Sequence, residues 1–373
     1  MLGQGGTISI LDMEESTFSV VVRSHLDHVS DLCFNSASGG KLVSVSLDQK
    51  IYIWNSENME VQTEFTTQND TATKLATSHV DPTVAVGFKS GFIRIFDLSV
   101  EATGKLVAET MIFDSPVSDL QYSPENKYLA VFYKCCRIVI FSIEKGYQPV
   151  KNIDYEFPNE NYFSLAFSPD DKLLANISSN ANNVTIWETK NFSLKYHLDL
   201  TGDIISKIQF APNGKDVVAL TTSSKLKFYR ISSTFASELQ FNKDIYGVTD
   251  LECVDFAISP NCKYIAVCGR EGVVKIFDYF MRGAAVPSCQ AFQGHFRHPR
   301  RLYWSTDMRF LFTVGDCNGI FRWSFFGDRN MPLDMSKHYE ELEPAHPLLK
   351  VEPGEPTFNH DALLKQTNAQ IDD

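Results

Sequence analysis

The 373-residue chain has no apolar run approaching the ~18 residues that a membrane-crossing helix requires. Its opening stretch, MLGQGGTISILD, has no basic segment followed by an apolar one, so no secretory leader is expected. The eight cysteines form no C-x-x-C pair, and adjacent Cys135 and Cys136 would bridge only under strain. Without export, reduced thiols in a cytoplasmic protein are expected. Positive charge is scarce: 34 Lys and Arg face 46 Asp and Glu, a net −12 that speaks against a nucleic-acid binder. There is no G-x-S-x-G, P-loop, H-E-x-x-H or EF-hand loop. No catalytic residue, cofactor or metal site is therefore assigned, and an enzyme is not expected.

What the chain does have is repetition. The stretch organised around His25 to Trp54, SHLDHVSDLCFNSASGGKLVSVSLDQKIYIWN (24–55), reads as three short β-runs at 29–34, 42–46 and 51–54, joined by polar turns. An aromatic residue ends a comparable run at Trp54, Phe96, Phe141, Trp187, Tyr229, Phe277 and Trp323. The intervals of 42, 45, 46, 42, 48 and 46 residues mark seven copies of one unit. Five copies share a turn between their first two runs: SPENK (123–127), SPDDK (168–172), APNGK (211–215), SPNCK (259–263) and STDMR (305–309). Polar and glycine residues in such positions reverse the chain, while the β-branched and aromatic flanks favour strands.

Within the first copy, His25, Ser46, Asp48 and Trp54 stand together. Ser and Asp are two residues apart, and Asp and Trp six. With the period and the turns, this set resembles the WD-repeat unit, whose β-propellers bury such a His, Ser, Asp and Trp as a hydrogen-bonded tetrad. A buried indole N–H and imidazole both need partners, so a structural role for His25 outweighs a catalytic or metal-binding one. The resemblance implies an all-β, seven-bladed WD40 β-propeller over residues 18–330, closed by an N-terminal outer strand at 18–22 that completes the last blade. Only the first copy has the whole tetrad. The last keeps His295 and Trp323, but Asp316 is seven residues from the Trp and Gly315 takes the Ser position. Residues 1–17 are left over, with 6–12 resembling a third strand that lacks its own first two.

Residues 331–373 contain five prolines and nine acids against three bases, and show no β-alternation. They read as a disordered acidic C-terminal tail. Two basic features remain. Arg297, His298, Arg300 and Arg301 cluster in HFRHPRR (295–301), before an innermost strand and so near the channel mouth. They are either paired with turn acids such as Asp316 or offered to an acidic partner. Lys41, Lys127, Lys172, Lys215, Lys263 and Arg309 close the hairpin turns on the opposite face, where neighbouring acids would neutralise them.

A narrower resemblance rests on ISILDMEESTFSVVVRSH, LVSVSLDQKIYIWN and VAVGFKSGFIRIFDL. These stretches are similar to the C-terminal propeller of the large centriolar and ciliary WD-repeat proteins, which are microtubule-associated. That implies a non-enzymatic scaffold in the cytoskeleton of the cilium, basal body or centriole, with tubulin or axonemal or centriolar wall proteins as partners and neither nucleic acid nor membrane. The competing class is a general adaptor propeller in a trafficking or ubiquitin-ligase complex.

Overall fold

The computed structural model describes residues 8–12, 17–22 and 25–325, except 68, 100–103, 155–162, 178–182, 200–201, 232–239, 246–247, 250, 280–288, 294, 296–297 and 317–318. β1 (Ile8–Asp12) and β2 (Thr17–Val22) form an antiparallel pair. Seven further antiparallel sheets follow in strict sequence order. Blade 1 is β3 (Val29–Asn35), β4 (Lys41–Ser46), β5 (Lys50–Asn55) and β6 (Val61–Thr66). Blade 2 is β7 (Ala72–Thr77), β8 (Thr83–Phe88), β9 (Phe92–Asp97) and β10 (Leu106–Met111). Blade 3 is β11 (Val117–Tyr122), β12 (Tyr128–Tyr133), β13 (Arg137–Ser142) and β14 (Gln148–Asp154). Blade 4 is β15 (Leu165–Phe167), β16 (Leu173–Ile177), β17 (Asn183–Glu188) and β18 (Ser193–Asp199). Blade 5 is β19 (Ile205–Phe210), β20 (Asp216–Thr221), β21 (Leu226–Arg230) and β22 (Gln240–Ile245). Blade 6 is β23 (Cys253–Ile258), β24 (Tyr264–Gly269), β25 (Val273–Asp278) and β26 (Cys289–Gln293). Blade 7 is β27 (Pro299–Trp304), β28 (Phe310–Gly315) and β29 (Ile320–Ser324).

The seven aromatic anchors all fall on third strands, as their spacing indicates. The turns explain why the sequence folds this way locally. In SPENK, the Ser123 hydroxyl accepts the Lys127 and Tyr128 N–H groups at 3.0 and 3.1 Å. Ser168, Ser259 and Ser305 receive the N–H of Leu173, Tyr264 and Phe310 in the same way. The fourth turn residue is left-handed in all five copies, at Asn126, Asp171, Gly214, Cys262 and Met308. Second strands are buried on both faces, as β4 and β28 are throughout. An outer strand such as β6 instead alternates half-buried with exposed residues. Apolar clusters lie between consecutive blades, so burial against a neighbour stabilises each sheet.

One expectation is corrected. β2 pairs with β1 rather than with β29, and among the described residues blade 7 has three strands. β29 is accordingly half-exposed along its length, whereas β13 in blade 3 is almost wholly buried. Blades 7 and 1 meet directly instead. Arg322 donates to the Ser56 carbonyl at 3.0 Å, His28 Nδ1 donates to the Asp316 carbonyl at 2.9 Å, and Phe34 stacks on Phe312.

The propeller is one compact unit, Met1–Ser56 with Glu60–Phe326. The expected tail at 331–373 lies outside the described residues.

Candidate functional site

The upper face is the one on which the innermost strands begin. Six of those strands carry a β-bulge at the same place: between Val29 and Asp31, Ala72 and Lys74, Val117 and Asp119, Ile205 and Lys207, Cys253 and Asp255, and Pro299 and Arg301. A bulge re-aims the residue that follows it. Here it sets a charged side chain at one level of the central channel in each blade: Asp31, Lys74, Asp119, Lys207, Asp255 and Arg301. Ser164 stands at that level in blade 4, just before Leu165.

This ring links every blade to the next. Asp31 accepts the Leu75 N–H at 3.0 Å, Asp119 accepts Leu165 at 2.7 Å and Asp255 accepts Leu302 at 2.8 Å. The Ser164 hydroxyl accepts Ile208 at 3.2 Å. Thr73 donates to the Val117 carbonyl at 2.7 Å, and Lys207 pairs with Asp255 while donating to the Phe256 carbonyl. Arg301 closes the circle on Asp31 at 3.1 Å. Buried charges hold only when paired and bonded, and these are.

Lys74 is the exception. Among the described residues its ammonium has neither a hydrogen bond nor an ion pair. Burial, and then the Arg301 charge, push it below the ordinary lysine value against the pull of Asp31, Asp119 and Asp255. Burial likewise pushes the Asp119 carboxyl up despite Arg301 and Lys74. Arg301 itself is held above its usual value: burial opposes its charge, and Asp31, Asp255 and Asp119 outweigh burial. Since Asp119 is 3.8 Å from Arg301 against 3.1 Å for Asp31, Asp31 is its principal partner. Above this level the channel opens into a cavity of about 370 Å³ lined by Lys74, Lys134, Lys207, Asp255, Arg300 and Arg301, among others.

The arginine cluster of the sequence is thus divided. Arg300 pairs with Asp316, and Arg301 turns into the channel. His298 Nδ1 donates to the Arg270 carbonyl at 2.8 Å, and Arg297 lies outside the described residues. On the opposite face Lys127, Lys172 and Arg309 pair with Glu125, Asp170 and Asp307, and Lys41 buries its ammonium on the Leu98 carbonyl.

The tetrad forms with a different serine. Trp54 Nε1 donates to Ser44 Oγ at 2.8 Å, and Ser44 lies 2.8 Å from His25 Nε2. His25 Nδ1 bonds Asp48 at 2.9 Å. One direction satisfies all four groups: indole to hydroxyl, hydroxyl to Nε2, Nδ1–H to carboxylate. Burial would raise the Asp48 carboxyl, but the His25 bond and charge and the Leu26 and Lys50 N–H groups hold it below the usual carboxylate range. Ser46, at the strand end, instead donates to the Asp27 carbonyl and accepts the Asp48 N–H.

Blade 7 retains more of the set than Gly315 suggests. Thr313 accepts from Trp323 at 2.9 Å and bonds His295 at 2.7 Å. In blade 4, Asn176 receives the Trp187 N–H at 2.8 Å. The channel charges also had a legible signal, a repeated short run at VSDL, ATKL, VSDL, ISKI, CVDF and PRRL, visible once the copies are aligned.

Seven radial sheets, a 42–48-residue period and the buried tetrad define a WD-repeat β-propeller. The family model described as "WD domain, G-beta repeat" matches residues 16–55 and 244–278. WD repeat-containing protein 90 of Xenopus tropicalis is 24% identical over 335 residues, 86% of this chain and 17% of that protein. Centriole proteome protein 16 of Chlamydomonas reinhardtii is 21% identical over 266 residues, 66% of this chain and 12% of that protein. The chain spans less than a fifth of the length of these relatives. Among solved structures, the β-propeller domain of Myceliophteria thermophila Cps50 (Swd1) superposes with a TM-score of 0.67 at 17% identity, covering 82% of this chain and 98% of that one. That likeness concerns the fold.

Proposed function

We propose that the chain is a non-enzymatic protein-binding scaffold of a centriolar or ciliary structure, located in the cytoplasmic cytoskeleton, with tubulin or a wall protein as its partner. The observation that carries this reading is similarity across most of the propeller to WD repeat-containing protein 90 and to a protein named for the centriole proteome. The chemistry of the channel agrees with a scaffold. Apart from Lys74, its acids and bases are consumed in joining blades, an arrangement that favours rigidity over proton transfer.

The test is co-sedimentation of the purified chain with microtubules, before and after subtilisin removes the acidic tubulin tails, together with localisation of the tagged chain in ciliated cells. Sedimentation that weakens on tail removal, with signal at centrioles or basal bodies, is expected. A chain that neither sediments nor concentrates there, but co-purifies with soluble complexes, refutes the reading in favour of a general adaptor.

A further inference from the structure

Resting on the reading of a protein-binding scaffold, we infer that the upper mouth of the channel is a carboxylate-binding site, in which Lys74 and Lys134 receive an acidic side chain of a partner segment. Three observations lead there.

First, the charge at the mouth is unbalanced. The cations are Lys74, Lys134, Lys207, Arg300 and Arg301. The acids paired with them are Asp255, Asp316, Asp31 and Asp119. Among the described residues one positive charge is left over, which matches a carboxylate better than a doubly charged phosphate. Second, the free donors belong to one wall. Among the described residues, every arginine and lysine of the set is bonded except Lys74, in the channel, and Lys134, at the exposed turn after β12. A half-buried ammonium without a partner binds an incoming anion with less further desolvation than a fully hydrated one. Third, the same face exposes aliphatic side chains. Leu26, Leu47, Ile204 and Leu251 precede innermost strands or follow a second strand on this face, and are 59, 42, 45 and 55% exposed. Exposed aliphatic groups on the face that carries a charged pocket form the footing for a polypeptide, whereas a free small acid would gain nothing from them. The occupant is therefore an acidic segment with apolar neighbours.

The test uses the full chain and a capped, fluorescent hexaglutamate peptide, read by anisotropy, with hexaglutamine and free glutarate as comparison ligands. Hexaglutamate should bind, hexaglutamine should not, and binding should weaken on going from about 50 to about 300 mM salt. Lys74→Met should reduce affinity by about tenfold or more, the scale of one charge-assisted bond. Because Lys74 holds no partner, its melting temperature should not fall. Lys134→Ser, an exposed change that cannot unfold the chain, should reduce affinity as well, and Lys127→Ser on the opposite face should not. Equal affinity of the native chain and both upper-face variants would overturn the proposal. So would glutarate binding as tightly as the peptide, since the ligand would then be a free acid. Microtubule sedimentation unaffected by either variant, with no peptide binding, would remove this site and leave the scaffold reading intact. Lysine-dependent peptide binding without sedimentation or centriolar localisation would do the reverse.

Discussion

Replacing Ser44 by Ala removes the one atom that two buried groups share. The Trp54 indole N–H loses its acceptor and His25 Nε2 loses its donor, both at 2.8 Å. Neither group can turn to water, because His25 and Ser44 are fully buried and Trp54 nearly so. An orphaned buried polar group costs about 1–3 kcal/mol, so two of them should cost on the order of 2–5 kcal/mol. At roughly 1–2 °C per kcal/mol for a chain of this size, the melting temperature should fall by about 2–10 °C. Ser46→Ala gives up bonds to the Asp27 carbonyl and the Asp48 N–H; Ser46 is itself buried, but both partner residues are half-buried, and the change should cost about 1 kcal/mol. Ser44→Thr keeps the oxygen, as Thr313 does in blade 7, and should recover most of the loss. Differential scanning fluorimetry and urea titration of the three variants decide the matter. Equal destabilisation by Ser44→Ala and Ser46→Ala, or a larger effect at 46, would refute this account.

Three other outcomes are expected. Burial pushes His295 down to about 4 from 6.5, so the unfolded chain binds the extra proton between those values; stability should fall as pH drops from about 6.5 toward 4, by on the order of 3 kcal/mol, and His295→Gln should flatten that slope in melting curves. Arg301→Met would leave Asp31 uncompensated and should cost about 3–5 kcal/mol in urea titration, whereas a loss under about 1 kcal/mol would show that the ring adds little to stability. Removing residues 1–22 should leave a monomeric propeller on gel filtration, since blades 7 and 1 hold each other through Arg322, His28 and Phe34; aggregation would mean that this segment covers the β29 edge.

The architecture was legible in the sequence because its determinants are local. A Ser five residues before a strand start, a left-handed fourth turn residue and a β-branched run each act within one hairpin, and seven repetitions at 42–48 residues force seven blades. The tetrad was legible only in part. Ser44 and Ser46 lie on the same side of β4, so alternation cannot choose between them; the choice follows from the approach of His25 and Trp54 in three dimensions. The same ambiguity made Gly315 look like a missing partner when Thr313, two residues earlier, fills the role. Tertiary structure alone decided the channel. Asp31 finds the Leu75 N–H and Arg301 finds Asp31 because bulged strands from different blades converge on one axis, and no spacing along the chain encodes which charge meets which. Pairing consumes Arg300 and Arg301, the residues whose density in the sequence drew notice, and among the described residues leaves Lys74, which stands alone in its run, as an unpaired charge in the channel.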